Sequence, residues 1–340
     1  MNSLFTQEDV SADIGPLVKK DVSGWIKAAR KTLDGKLPPM TDNCDDPYEC
    51  PFKAYCHADA PEYPVDCLPR IGVQAAGLRA QGYDDIRDIP AGVLANPVQE
   101  RVRKLTIFGK AELRPEAAAK LSELGWPRYY LDFETMNFAV PIWKGTRPYQ
   151  QVPFQWSCHV GHEDGTMIHR EFLDLSGDDP SRAFAESLLA AVNKRGPIMV
   201  YNQAFEGRIV AELALRCKDL ATPLGAVAAR FVDLLPITRE NYYHPAMKGS
   251  WSIKSVLPTI AAELDYAGLE EVQDGGAAQR AFVEAIAPET AASRKKDLKR
   301  ALLAYCERDT EAMVRLAKFL LGGTTKGLAK LTHSARPAAH

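Results

Sequence analysis

Apolar positions along this chain recur first at helical spacing, then in alternation, then at helical spacing again. Val18, Val22, Trp25, Ile26 and Ala29 share a helical face among Lys and Arg, and predict a helix ending near Gly35. Residues 69–114 read as short helical pieces broken at Gly72, Gly77 and Gly82. The last piece, Pro97–Phe108, opens after Asn96 and sets Val98, Val102, Leu105 and Phe108 on one side. From residue 115 the pattern changes. A short helix, 115–124, gives way to strand 129–134 and a long loop, 138–152. Strand 153–160 then alternates Phe154, Trp156, Cys158 and Val160 against Gln155, Ser157 and His159. Glu163-Asp164-Gly165 turns it into strand 166–173, completing a hairpin. Helix 180–194, strand 197–201, helix 204–216 and strand 230–235 follow. Three helices finish the pattern: 252–264, with Pro258 awkward inside it, then 277–286 and 297–320, closed by Gly322-Gly323. The tail 324–340 is expected to be loose. Three antiparallel strands followed by alternating helices and strands predict an α/β fold, a mixed sheet flanked by helices on both faces.

Composition changes this picture little. With 46% hydrophobic residues in 340, the chain can bury a large core. A formal net charge of −2 gives no global basic signature, so any nucleic-acid binding must use a local groove. No apolar run is long enough for a bilayer, and the acidic start, MNSLFTQEDV, lacks a signal-peptide core. The expectation is a cytoplasmic protein with no membrane partner. Arg101, Arg103, Lys104 and Lys110 make helix 97–108 locally basic, either as a solvated face or as a module touching a nucleic-acid backbone.

The seven cysteines, an odd number, argue against a disulfide framework. Cys44, Cys50, Cys56 and Cys67 stand apart, spaced C-x5-C-x5-C-x10-C in a Pro-containing loop. Four thiolates can wrap a tetrahedral Zn²⁺ or an iron–sulfur cluster. Tight knuckles are absent and the run reads C-P-F-x-x-Y-C, which leans toward iron–sulfur over zinc. Four unrelated buried cysteines are the plain alternative.

The densest chemistry lies in Tyr129-Tyr130-Leu131-Asp132-Phe133-Glu134-Thr135. On a strand, Asp132 and Glu134 point to one face. Two buried acids side by side repel and lose hydration unless a cation sits between them. Asn202 and Glu206 fall where strand 197–201 hands over to a helix, at the carboxyl edge where open α/β sheets place their sites. Tyr305 and Asp309 are four apart on the last helix, on the face that also carries Leu302, Met313 and Leu316. An inward Asp there needs a partner, a metal or an Arg or Lys. Asp233 reads as an outer acid of the same site or as a helix cap. Lys254 reads as a phosphate contact or a solvated lysine. His159, His162, His169 and His244 show no zinc spacing and receive no role, and Cys158, Cys217 and Cys306 read as core.

These residues carry two resemblances. Residues 15–70, with their cysteines, resemble the C-terminal end of RecB-like and CRISPR-associated nucleases, in which such cysteines hold a [4Fe–4S] cluster. Leu131-Asp132-Phe133-Glu134-Thr135, Asn202-x-x-Phe205-Glu206 and Tyr305-x-x-x-Asp309, in that order, resemble the three motifs of the DEDD superfamily. Those are DnaQ-like 3′–5′ exonucleases with an RNase H-like fold, here in the tyrosine subclass. The nearest likeness is to an uncharacterised bacterial family in which this domain follows a RecB-like segment. The implied organisation is a Cys-rich remnant at 1–70, a small helical module at 71–114, the exonuclease domain at 115–323 and the tail.

The resemblance also implies roles. Asp132, Glu134, Glu206 and Asp309 would hold two Mg²⁺ or Mn²⁺ ions, and Tyr305 would orient or deprotonate the attacking water. Phe133, Thr135 and Met136 would lie near the terminal base of a single-stranded DNA or RNA 3′ end, DNA being the preferred substrate. Glu206 departs from the family, which has Asp there. The alternative is a degenerate adaptor that binds nucleic-acid ends around a structural metal cluster.

Overall fold

The computed structural model describes residues 8–35, 50–52, 55, 60–192, 194–264, 266, 268–269 and 271–322. The chain divides into two compact units, one of residues 1–65 with 71–85 and the other of residues 66–70 with 86–340.

In the first unit, helix α1 (Ser11–Leu17) runs through a π-helical stretch, 18–22, into α2 (Ser23–Asp34). The helical run therefore begins earlier than the apolar spacing predicts. No residue of it is buried; Ile14, Leu17, Val18, Trp25 and Ile26 are exposed. Helix α3 (Gln74–Ala80) buries Ala75 and Leu78. Cys44 and Cys56 lie outside the described residues.

The second unit begins its regular structure with α4 (Pro97–Phe108). Asn96 accepts the Val98 N–H at 2.9 Å, and Gly109 closes the helix in the left-handed region. Its basic residues take neither expected role uniformly. Arg101 turns inward to Glu112 (2.6 Å) and the Arg239 carbonyl (2.6 Å), and Arg103 to Glu100 (2.7 Å) and the Ile89 carbonyl (2.9 Å). A short strand, β1 (Glu112–Leu113), and α5 (Glu116–Ser122) lead into the main sheet.

That sheet has five strands, β2 (Arg128–Met136), β3 (Val152–Gly161), β4 (Met167–Leu173), β5 (Ile198–Val200) and β6 (Phe231–Asp233), in the order β4-β3-β2-β5-β6. The first three pair antiparallel; β5 and β6 run parallel to β2. Aromatic and branched residues favour the strands, as expected from the alternation. β5 reaches β2 through Gly196, whose φ of 88° suits glycine and whose missing Cβ would lie 2.0 Å from the Pro127 carbonyl oxygen.

Helices cover both faces. Against one pack α6 (Ser181–Ala191), α7 (Gln203–Arg216) and α8 (Ala221–Ala228), which enclose Tyr129, Leu131, Phe133, Trp156 and Val160. α8 was not expected. Strand 230–235 is also shorter than expected: after Asp233 the chain turns at once into α9 (Leu234–Asn241). A two-residue strand, β7 (Tyr242–Tyr243), pairs with β1. Next come α10 (Ile253–Ile260) and α11 (Gly275–Ile286), started by Asp274 accepting the Ala277 N–H at 2.7 Å. α10 runs two residues past Pro258, which it accommodates, and stops at Ile260, before 264. The last helix, α12 (Ala292–Leu320), crosses the other face of β2 and β3.

That second face carries the polar positions of β3, which are not solvated. Gln155, Ser157 and His159 are all buried under α12. Gln155 donates to the Leu302 carbonyl at 2.8 Å, and Ser157 and His159 meet the Thr310 hydroxyl at 2.8 and 2.9 Å. Phe154 departs from its predicted face. A register shift between Glu134 and Thr135 turns it to the α12 side, where it stacks on Phe282 at 4.0 Å.

Asp233 ties two turns together. Its carboxylate accepts the N–H groups of Asn202, Gln203 and Leu235, each at 3.0 Å, so one side chain caps α9 and clasps the start of α7. Asp233→Ala is expected to destabilise the fold by about 2–3 kcal/mol, as hydrogen bonds to a charged group are lost; urea denaturation measures this, and a change under about 0.5 kcal/mol would refute the clasp.

Candidate metal centre

Asp132 and Glu134 stand near the carboxyl end of β2, on the face covered by α12. Asp309 meets them from α12. One carboxylate oxygen from each lies within 4.8 Å of the other two. They border a cavity of about 280 Å³ together with Tyr201, Phe205, Lys254, Tyr305 and Met313. Tyr201 and Phe205 come from just past the end of β5, so the cavity lies at the carboxyl ends of two parallel strands.

Asp309 is held from two sides. Tyr266 donates its hydroxyl to Oδ1 at 2.5 Å, and Tyr305, one turn back on α12, also helps to hold the carboxyl down. Lys254 Nζ sits 5.1 Å from the ring centroids of both tyrosines and donates to the Gln273 carbonyl at 2.8 Å. The buried Cys306 thiol lies 3.8 Å from Asp132 Oδ2. Glu206, on the first turn of α7, is 2% exposed and sits close enough for its charge to act on Asp132. It is not one of the three converging acids. Its Oε2 is buried with no hydrogen-bond partner.

Among the described residues, no Arg or Lys forms an ion pair with Asp132, Glu134, Glu206 or Asp309. Their electrostatics follow. Burial drives Asp132 well above the usual carboxylate range, and the charges of Asp309, Glu134 and Glu206 add to it. Burial pushes Glu134 up to about 8, with Asp309 adding and Lys254 opposing. Glu206 is likewise pushed up to about 8, chiefly by burial. Asp309 rises to about 6 through burial, restrained by Tyr266, Lys254 and Tyr305. Such a group of acids, with an orphaned carboxylate oxygen beside it, fits a divalent cation. Its all-oxygen donor set suits Mg²⁺ or Mn²⁺.

The other residues singled out in the sequence divide. Lys254 and Tyr305 border the cavity. Phe133 borders it too, but its ring packs edge-on against Phe184 at 5.1 Å in the apolar layer across the sheet. Thr135 is buried and its carbonyl accepts from Gln279 at 3.1 Å, while Met136 packs against the cluster around Phe154 and Phe282. Neither borders the cavity. Asn202 is exposed, in a left-handed conformation with φ of 84°. Asp233 is the cap described above. Cys50 and Cys67 are both half-buried. Tyr266, which the sequence reading passed over, stands in an irregular stretch after α10 with no periodicity to mark it.

A family model described as a domain of unknown function (DUF2779) matches residues 129–252. The match takes in Asp132, Glu134 and Glu206 and stops before Tyr305 and Asp309. No curated protein and no solved structure matches the chain.

The acids set a pH dependence. Each has a folded pKa above its unfolded value of about 4, so the native state holds more protons than the unfolded one between about pH 4 and pH 8. This cluster's stability is greatest at the acid end and is lost as pH rises through that window. Mn²⁺ is expected to raise Tm more at pH 8.5 than at pH 5.5, by an amount equivalent to about 2.7 kcal/mol at a hundredfold excess over Kd. Asp132→Asn should raise the metal-free Tm at pH 8.5 and abolish the Mn²⁺ shift. An undiminished shift in that variant would remove Asp132 from the site; scanning calorimetry reads both.

Proposed function

We propose that this chain is a metal-dependent phosphodiesterase, a 3′–5′ exonuclease of the DEDD type with an RNase H-like domain, acting on single-stranded nucleic-acid ends. The observation that carries the reading is the meeting of Asp132, Glu134 and Asp309, far apart in sequence, within 4.8 Å at the edge of an open cavity. In this reading Asp132, Glu134 and Asp309 would hold the cations, with the orphaned carboxylate oxygen of Glu206 available to assist. Two such ions, when bound, supply a nucleophilic water and neutralise charge on the phosphate. Water adds to phosphorus, the bond to the bridging 3′ oxygen breaks, and that oxygen leaves as a hydroxyl.

The remaining work falls to the chain itself. Burial and the charges of Asp309, Glu134 and Asp132 push the Tyr305 phenol well above its usual range. With no cation bound it is therefore a protonated hydrogen-bond donor, and in this reading it positions the water beside Asp309. Among the described residues Lys254 brings the one ammonium that borders the cavity, and in this reading it would meet a phosphate there. The four N-terminal cysteines enter the proposal as a separate [4Fe–4S] site, or a Zn²⁺ site.

Glu206 favours a second reading. It stands outside the trio, so a domain that binds ends without cutting them is the alternative. A digestion with 3′- and 5′-labelled single strands of DNA and of RNA separates the two. Mn²⁺-dependent shortening from the 3′ end is expected, falling more than about a hundredfold in Asp132→Asn, since even outer partners of metal ligands cost about 10–100-fold. Tyr305→Phe should slow turnover without moving its pH profile. Binding without shortening in any metal would reject the enzyme.

A further inference from the structure

A second set of ligands lies deeper under α12, away from the cavity. His159 on β3 and His169 on β4 are paired across the hairpin, with ring centroids 4.6 Å apart. Glu307 comes to them from α12. Each of the three offers a ligand atom within 4.8 Å of the other two. His169 Nδ1 and Glu307 Oε1 are 3.6 Å apart. That is beyond hydrogen-bond length. It is close to the ligand-to-ligand edge of a tetrahedral site, about 3.3 Å for bonds of about 2.0 Å.

Hydrogen-bond directions place one proton on each imidazole. The Thr310 hydroxyl donates its single proton to the Glu307 carbonyl at 3.0 Å. Its oxygen must therefore accept from its two other neighbours, Ser157 Oγ at 2.8 Å and His159 Nδ1 at 2.9 Å. With its proton spent on Thr310, Ser157 must in turn accept from His169 Nε2 at 2.9 Å. Each ring thus carries a proton on the nitrogen that faces a hydroxyl. In the neutral rings this leaves lone pairs on His159 Nε2 and His169 Nδ1. Imidazoles that bind metal are held in this way, the far N–H fixed by an outer acceptor.

We infer that His159, His169 and Glu307 form a second cation site, for a borderline metal of the Zn²⁺ type. Two imidazole nitrogens and one carboxylate suit zinc rather than the hard ions of the acidic centre. The Glu307 side chain is 27% exposed, so water reaches the site and can supply the fourth ligand. The metal would bind α12 to β3 and β4 two residues before Asp309, and so hold that acid in place. This inference is independent of the exonuclease reading.

The test is zinc content of the full chain after equilibration with Zn²⁺ and removal of excess, for wild type, Glu307→Gln, His169→Gln and Asp132→Asn, with circular dichroism to show that each is folded. Glu307→Gln alters a side chain open to solvent and keeps the test valid if His169→Gln unfolds. One equivalent per chain should be missing from Glu307→Gln and His169→Gln and present in Asp132→Asn. Co²⁺ in place of zinc separates this site from the N-terminal thiols. The missing equivalent should show ligand-field bands of nitrogen and oxygen donors, without sulfur-to-metal charge transfer. Equal zinc in wild type and Glu307→Gln would overturn the inference. So would loss of the equivalent in Asp132→Asn, or a charge-transfer band belonging to the missing metal.

Discussion

The fold depends on sealing a polar sheet face under a helix. β2 and β3 offer Asp132, Glu134, Gln155, Ser157 and His159 to α12, and water is excluded from most of them. Each such group costs free energy unless it finds a partner. The neutral ones find partners on α12 itself, through Thr310 and the Leu302 carbonyl. The acids do not. Asp309 adds a third negative group instead of a compensating one, moderated by Tyr266, Lys254, Tyr305 and the neighbouring Arg308. One interface therefore holds a hydrogen-bonded half and an acidic half, and the acidic half borders the cavity.

This division separates structure from chemistry along a single helix. Thr310 and Asp309 are neighbours, yet one closes a hydrogen-bond network and the other opens onto a site. Opposite, the apolar layer against α6, α7 and α8 supplies the hydrophobic burial that holds the sheet. Stability from that side offsets the electrostatic cost of assembling the acids on this one, an arrangement expected of functional sites.

Much of this was legible in the sequence. Alternation marked β3 and β4, Gly165 marked their turn, and the spacing of Asp132 and Glu134 put two acids on one face. The four-residue step from Tyr305 brought Asp309 to the same place. Three things were not legible, each for a physical reason. Alternation distinguishes two faces but does not say whether the polar one meets solvent or a helix, so the surroundings of Gln155, Ser157 and His159 stayed open. Tyr266 lies in irregular chain, where no period constrains a side chain. His159 and His169 lack zinc spacing along the chain, because what joins them is hairpin register: pairing Gly161 with Met167 also brings residues 159 and 169 together. Asp233 kept two readings, since capping and ligation both ask for a carboxylate at a strand end.

The irregularity in β2–β3 pairing has a wider consequence. Because Phe154 occupies an extra place in β3, the ladder before it and the ladder after it are out of step by one. Length changes in this hairpin are therefore not interchangeable with changes in its sequence. A lineage that gained or lost a residue here would swap which side chains meet the acids, however conservative each replacement. Insertions should accumulate in the exposed turn around Gly165 and in the connection between β2 and β3, while the paired stretches on either side of Phe154 keep their length unless the bulge is rebuilt.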